Sequence, residues 1–432
     1  MTNLNNGLPT YETILNRDFT TPKGAKSCVT LTDNGVCAMV GGREINRFMH
    51  TPRIYVDNAA TSPMPEAVLQ AMMPYLGVSF GNPSSTHSYG QEAQQALETA
   101  RKRIAQAIGA YNNEIYFTSG GTEADNWIVH SVSKQQAKKG KHLISTKIEH
   151  NAMLRPLENL QADGFEITLL EPDRFGMITP EQLTQAIRED TLLVSIMSAN
   201  NVVGTVLPIQ ALCAAAHKRN VLFHTDAVQA VGHIRLDVHA LGVDFLSISA
   251  HKFHGPKGVG ALFSKLGLPV TPLIAGGGQE KGRRSGTENV ASLVGMAAAL
   301  EASVTDLDAH LQSIARLRDK LIAGILKIPG AHLTGDPVHR LPGLASFLFE
   351  QVPGQLLIPE LDKIGICASS GAACSAASKD ASHVLLAMGY PPALAHGALR
   401  LSLSRYNTEA EIDVILEALP NIVRSVRQKQ SV

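Results

Sequence analysis

Between Glu114 and about residue 250, short apolar runs with β-branched residues alternate with stretches whose apolar positions recur at helical spacing. The runs EIYFTS, HLIST, FEITLL, LLVSIMSA, VLFHTDA and DFLSISA read as strands. The intervening patterns predict helices over Thr122 to about Lys138, from Asn151, from Pro180 and from Pro208. Repeated strand and helix units with short connections imply right-handed crossovers and a mostly parallel sheet covered on both faces. Ligands of such sheets gather at the carboxyl ends of the strands, so the residues closing each run are candidates for chemistry.

Outside this region the pattern changes. Residues 1 to 52 carry no long periodic segment and read as an appended arm or small accessory element. Ile54 to Val56 suggest a short strand, Asp57-Asn58 a turn, and Pro63 to Pro65 the opening of a helix. FGNPSSTHSYGQEA is a polar loop leading into a helix that runs to about Ile108. After GGGQEKGRRSGTENV, a glycine-rich basic loop over residues 276 to 290, an alanine-rich amphipathic helix extends from Ala291 to about Leu326, and a second domain begins near residue 300. That domain contains the strand SFLFE, a helix near PGQLLIPELDKI, the small-residue loop CASSGAACSAASKDASH, a helix to Met388, the strand LRLSLSR and a final helix from Thr408. No internal repeat is present.

Composition narrows the class. The 432 residues are 44% hydrophobic with 36 glycines, ordinary for an α/β enzyme of two domains. Lys+Arg and Asp+Glu both number 38, so no global field draws the chain to nucleic acid or an anionic membrane. The N-terminus has no apolar core after a basic start, and no run of about 18 apolar residues occurs, so a cytoplasmic location without a membrane span is expected. The five cysteines, Cys28, Cys37, Cys213, Cys367 and Cys374, are expected to be free thiols. Cys28 and Cys37 have no second ligand pair, and no metal site is assigned.

Lys252, in DFLSISAHKFHGPKGVG, is delivered at a strand end. A buried amine there loses solvation, its pKa falls, and it can form a Schiff base with an aldehyde, although an exposed turn lysine would have the same sequence. Gly120-Gly121-Thr122 closes one strand and opens a helix, suiting a phosphate or a plain tight turn. His150 can lie against a ring or on the surface. Asp226, with Gln229 three residues on, can hold a protonated ring nitrogen or be a solvated turn acid. The 276 to 290 loop suits an anion, a neighbouring subunit or open solvent.

Taken together, DNAATSP, FGNPSSTHS, FTSGGTEADN, EHNAM, TDAVQAVG, SAHKFHGPKG, GGGQEKGRRSGTEN and SSGAACSAAS, in this order between Tyr55 and Val423, resemble the pyridoxal-phosphate-dependent class V aminotransferase group of fold type I, and within it the NifS/IscS-type cysteine desulfurases. The resemblance implies an α/β fold: a large domain over residues 62–305 with a mostly parallel seven-stranded sheet, and a smaller α+β domain made of 53–61 and 306–432 that carries the cysteine loop. Residues 1–52 form an extension without a counterpart.

The same resemblance implies the following roles. Lys252 carries pyridoxal 5′-phosphate and shuttles protons; Asp226 pairs with the ring nitrogen; Gln229 bonds the phenolic oxygen; and His150 stacks on the ring and acts in acid/base steps. Gly121, Thr122, Ser249 and His251 hold the phosphate, and Thr287 reaches a neighbouring subunit's cofactor in a homodimer. Asn201 and Arg400 bind the substrate carboxylate. Cys374 attacks the sulfur of L-cysteine, giving alanine and a persulfide for a sulfur-acceptor protein such as an iron–sulfur scaffold. Ending in VRQKQSV, the chain lacks the C-terminal extension of the housekeeping iron–sulfur branch, which bears on scaffold docking. Selenocysteine lyase or cysteine sulfinate desulfinase activity, and a sulfur-relay scaffold recruiting through its N-terminal arm, are the competing readings.

Overall fold

The computed structural model describes residues 53–136, 139–268, 270–371 and 381–430, together with the strand backbone within 19–47. It divides into two units, one of residues 1–54 with 364–366 and one of 55–363 with 367–432. In the first, strands β1 (Phe19–Thr20), β2 (Lys26–Thr32), β3 (Gly35–Val40) and β4 (Arg43–Arg47) form an antiparallel sheet in sequence order. The arm therefore contains a meander that its lack of long periodicity concealed, because strands this short leave only a few alternating positions each.

Further along lie β5 (Ile54–Tyr55), β6 (Ile115–Thr118), β7 (His142–Thr146), β8 (Glu166–Leu170), β9 (Thr191–Ser195), β10 (Leu222–Asp226), β11 (Phe245–Ser249) and β12 (Gly260–Ser264). The last seven make one sheet in the order β6-β12-β11-β10-β9-β7-β8. Strands β8, β7, β9, β10 and β11 pair in parallel. β12 runs antiparallel to both its neighbours, β11 and β6. Every residue of β7, β9, β11 and β12 is buried, as a sheet covered on both faces requires. One covering helix, Gly121–Gln136, sends Trp127 into the core with no exposure, and its indole Nε1–H donates to the Thr271 carbonyl at 2.6 Å.

The predicted single helix from Ala291 is two helices, Val290–Val304 and Leu307–Ile325, meeting at a 75° bend. Asp306 takes a left-handed conformation there, with φ 49°. Strands β13 (Ala331–Thr334), β14 (Leu344–Phe349), β15 (Ile366–Cys367) and β16 (Ala398–Ser402) follow. β13, β14 and β16 form an antiparallel sheet, against which the helices Leu307–Ile325 and Gly354–Lys363 pack, while Glu409–Gln430 packs against those two helices. Among the described residues no single helix is long and apolar enough to cross a membrane.

Candidate active site

A cavity of about 310 Å³ opens where β6, β7, β9, β10 and β11 end, a size within the usual range for a cofactor or small-molecule site. The turn after β6 contributes Gly121 and Thr122, the segment after β7 His150, that after β9 Asn201, β10 and its continuation Asp226 and Gln229, and β11 and its continuation Ser249, His251 and Lys252. Arg400 enters from β16 and Ala59-Ala60 from the turn after β5. The ten sequence-predicted site residues other than Thr287 and Cys374 thus line one space. Thr287 instead borders a separate cavity of about 80 Å³ with Glu280 and Arg284. Cys374 lies outside the described residues.

Lys252 is held from several directions. Its Nζ donates to the carbonyls of Ala59 (2.8 Å) and Ala60 (2.7 Å), and the Gln229 amide donates to the same Ala59 carbonyl at 2.9 Å. His233 Nε2–H donates to the Lys252 carbonyl at 2.9 Å. On the chain just before it, the Ser62 hydroxyl donates to the His251 carbonyl at 2.8 Å. Just after it, His254 has φ 68°, and its N–H donates to the Ser62 hydroxyl at 2.7 Å. A lysine placed on backbone pinned at both sides has its amine delivered to one position.

The side of the cavity formed by Gly121 is built from close backbone approach. A Cβ on Gly121 would lie 2.5 Å from Val228 Cγ2, so glycine lets the helix Gly121–Gln136 start this near the segment after β10, with Gly121 and Thr122 of its first turn lining the cavity. His251, which lines the same space, is pushed down to about 4 by burial and then by the neighbouring Lys252 and Lys257 charges. It therefore serves as a neutral hydrogen-bonding ring.

Asp125 and Asp226 line the cavity floor, and Glu149, next in sequence to His150, is fully buried outside the lining. Burial raises the Asp226 carboxyl, while its hydrogen bond from the Val228 N–H at 2.8 Å and the His150 and Lys252 charges oppose that rise. Glu149 is pushed up to about 8 by burial, although its Oε1 accepts from Thr146 Oγ1 at 2.8 Å and Met197 N–H at 3.0 Å. Asp125 is fully buried in the same floor and lies well above the carboxylate range through burial and the Asp226 charge. Neither Asp125 nor Glu149 was singled out by sequence reasoning for this site. The available signal was an acid between Ala124 and Trp127, on the apolar face of a predicted helix.

At the opposite wall, Arg400 is 2% exposed; its Nη1 donates to the Asn201 carbonyl at 2.7 Å and its Nη2 to Asp57 Oδ1 at 2.7 Å. Arg400 Nε has no partner among the described residues. A buried guanidinium N–H left open beside a cavity fits an incoming carboxylate. Together with the amine, the acid at a strand end and the glycine-started helix, it makes the residues present a fit for a phosphorylated pyridine aldehyde and an amino acid.

Comparison with known proteins agrees. The chain matches the family described as Aminotransferase class-V over residues 54–415. It is 47% identical over 374 residues to a protein named Cysteine desulfurase IscS from Methanosarcina thermophila, covering 87% of this chain and 93% of that one. It is also 47% identical over 375 residues to a protein of the same name from Dictyoglomus turgidum, covering 87% and 95%. A solved structure described as a NifS-like protein superposes with a TM-score of 0.82 at 40% identity, covering 86% of this chain and all of that one.

Proposed function

The chain belongs to the class V aminotransferase family and is a pyridoxal-phosphate-dependent cysteine desulfurase, and from that premise we propose how its residues divide the work. When bound, the cofactor supplies an electron sink for the carbanion formed at the substrate Cα. Lys252 holds it and moves protons at the substrate Cα. Asp226 would pair with the ring nitrogen, Gln229 with the phenolic oxygen, and His150 would stack on the ring face. Gly121, Thr122, Ser249 and His251 receive the phosphate. Arg400 and Asn201 take the substrate carboxylate.

Cys374 is the proposed sulfur acceptor on the enzyme. Its thiolate attacks the sulfur of bound L-cysteine; a sulfur–sulfur bond forms, the Cβ–sulfur bond breaks, and the electron pair left on carbon is protonated to give alanine. The persulfide then passes to an acceptor protein, with an iron–sulfur scaffold as the first candidate. The observation carrying this division of labour is that Lys252, Asp226, His150 and Arg400 line one cavity although the chain separates them widely.

We further propose a homodimer. Thr287 lies outside its own chain's main cavity, and Leu76, Val78 and Phe80 are 61%, 71% and 70% exposed, an apolar surface of the kind that a second copy covers. Sedimentation equilibrium reads this directly. We also assign residues 62–305 to the large domain, 53–61 with 306–432 to the small one, and the protein to the cytoplasm.

Incubation with L-cysteine, monitoring alanine and mass-mapping the protein, tests the central reading. Alanine should accumulate with a 32-dalton-class sulfur adduct on Cys374, roughly one sulfur atom per site. Steady alanine formation with unmodified Cys374 would refute it and favour a lyase that does not use the loop cysteine.

A further inference from the structure

Asp125 sits in the first turns of the helix Gly121–Gln136, with no solvent exposure, against the cavity floor. Neither of its oxygens has a hydrogen bond of good geometry among the described residues, and the one hydroxyl that favours its ionised form, that of Ser247, is shared with His224 Nε2 at 2.9 Å. The nearest basic group, His224 Nε2, is 3.7 Å from Oδ1, beyond hydrogen-bond reach. His224 is already engaged on both ring nitrogens, by Ser195 Oγ at 2.8 Å and Ser247 Oγ at 2.9 Å, and burial pushes it down to about 3, so it offers no positive charge. An ionised carboxylate in such a place has only the shared Ser247 hydroxyl to replace its water, which leaves burial dominant.

We infer that Asp125 is a positioning residue that carries a carboxyl proton at neutral pH and so keeps Asp226 as the single negative charge of the pair. The charges acting on Asp125 are those of Asp226 and Glu149, both negative, and they favour its neutral form. Those acting on Asp226 include His150 and Lys252, which favour its ionised form. Two carboxyls in one dry floor thus divide into an acid and an anion according to which faces the cations. A neutral carboxyl also supplies an O–H dipole, and such a donor beside Asp226 stabilises its charge where a cofactor ring nitrogen would need it. The inference rests on the reading that Asp226 faces that nitrogen.

Infrared spectroscopy of the cofactor-free and the loaded protein at neutral pH tests it. A protonated-carboxyl C=O band is expected in both forms, removed by Asp125→Asn, and distinct from the band removed by Glu149→Gln. A wild-type spectrum in this region that Asp125→Asn leaves unchanged overturns the inference. Pyridoxal phosphate titrated into the cofactor-free protein gives a second readout. Asp125→Asn, which keeps a neutral donor of the same shape, should bind near the wild-type affinity. Asp125→Leu should bind about tenfold more weakly, the effect of moving Asp226 by about one pKa unit. Equal weakening in both variants, with both folded by circular dichroism, also overturns it. Unchanged cofactor affinity in Asp226→Ala instead overturns the ring-nitrogen reading while the Asp125 band stands, so the two failures are told apart.

Discussion

Asp57 Oδ1 and Arg400 Nη2 lie 2.7 Å apart, with side chains 20% and 2% exposed, so the guanidinium that lines the cavity is oriented by an acid of the protein. Arg400→Lys keeps the charge but loses the planar fork. We expect KM for L-cysteine to rise about 10- to 100-fold, the loss of a charge-assisted hydrogen bond of about 1.5–3 kcal/mol, with cofactor absorbance unchanged. Asp57→Ala should raise KM in the same direction, because Arg400 then loses its alignment.

Lys252→Ala should lower turnover by at least about 10³-fold and abolish the visible absorbance of bound cofactor, measured on protein reconstituted with pyridoxal phosphate.

Glu149 makes stability depend on pH. From its ordinary value of 4.5 up to about 8, the folded protein keeps a proton that the unfolded chain has released. Stability contributed at this site therefore falls as pH rises through that window. Asp125 and Asp226, also raised, act with the same sign. Glu149→Gln should flatten the decline, leaving the melting temperature near wild type at pH 5 and raising it by a few degrees at pH 8, as calorimetry of the cofactor-free protein reads.

Arg101 and Glu280, 3% and 6% exposed, form a two-pronged ion pair at 2.8 and 2.7 Å that fixes the loop holding Thr287. Glu280→Ala leaves a buried guanidinium without its partner and should destabilise the fold by about 3–5 kcal/mol in urea titrations. Replacing Arg101 and Glu280 together with apolar residues should cost less than that single change.

Cys213 is 1% exposed, and burial together with the Asp244 charge pushes its thiol up to about 12. It is therefore a packing residue. Iodoacetamide should leave Cys213 unmodified in the native protein, and Cys213→Ala should retain desulfurase turnover.

Much of the site was legible in the chain because strand ends in a parallel sheet are predictable from the alternation of apolar runs and helical stretches. Lys252, Asp226 and His150 each close such a run, and the sheet brings the closures together. β12 escaped this logic. GALFS follows the glycine- and proline-rich HGPKGV with no stretch of helical periodicity between it and β11, so the strand–helix alternation does not mark it, and its place between β6 and β11 comes from pairing with a strand far back in sequence. The acid floor escaped as well, since Asp125 reads as an ordinary first-turn helix acid until the helix is rotated onto the sheet.

By itself, then, the sequence determined the mostly parallel sheet and the lysine after β11 from local periodicity, while the cofactor chemistry came from the resemblance of its ordered motifs to a known family. Only the tertiary structure decided that Arg400 meets Asp57 across 343 positions of chain, and that Asp125 and Glu149 lie dry beside Asp226. Charge state depends on which atoms surround a group once water has been excluded, and no spacing along the chain contains that information.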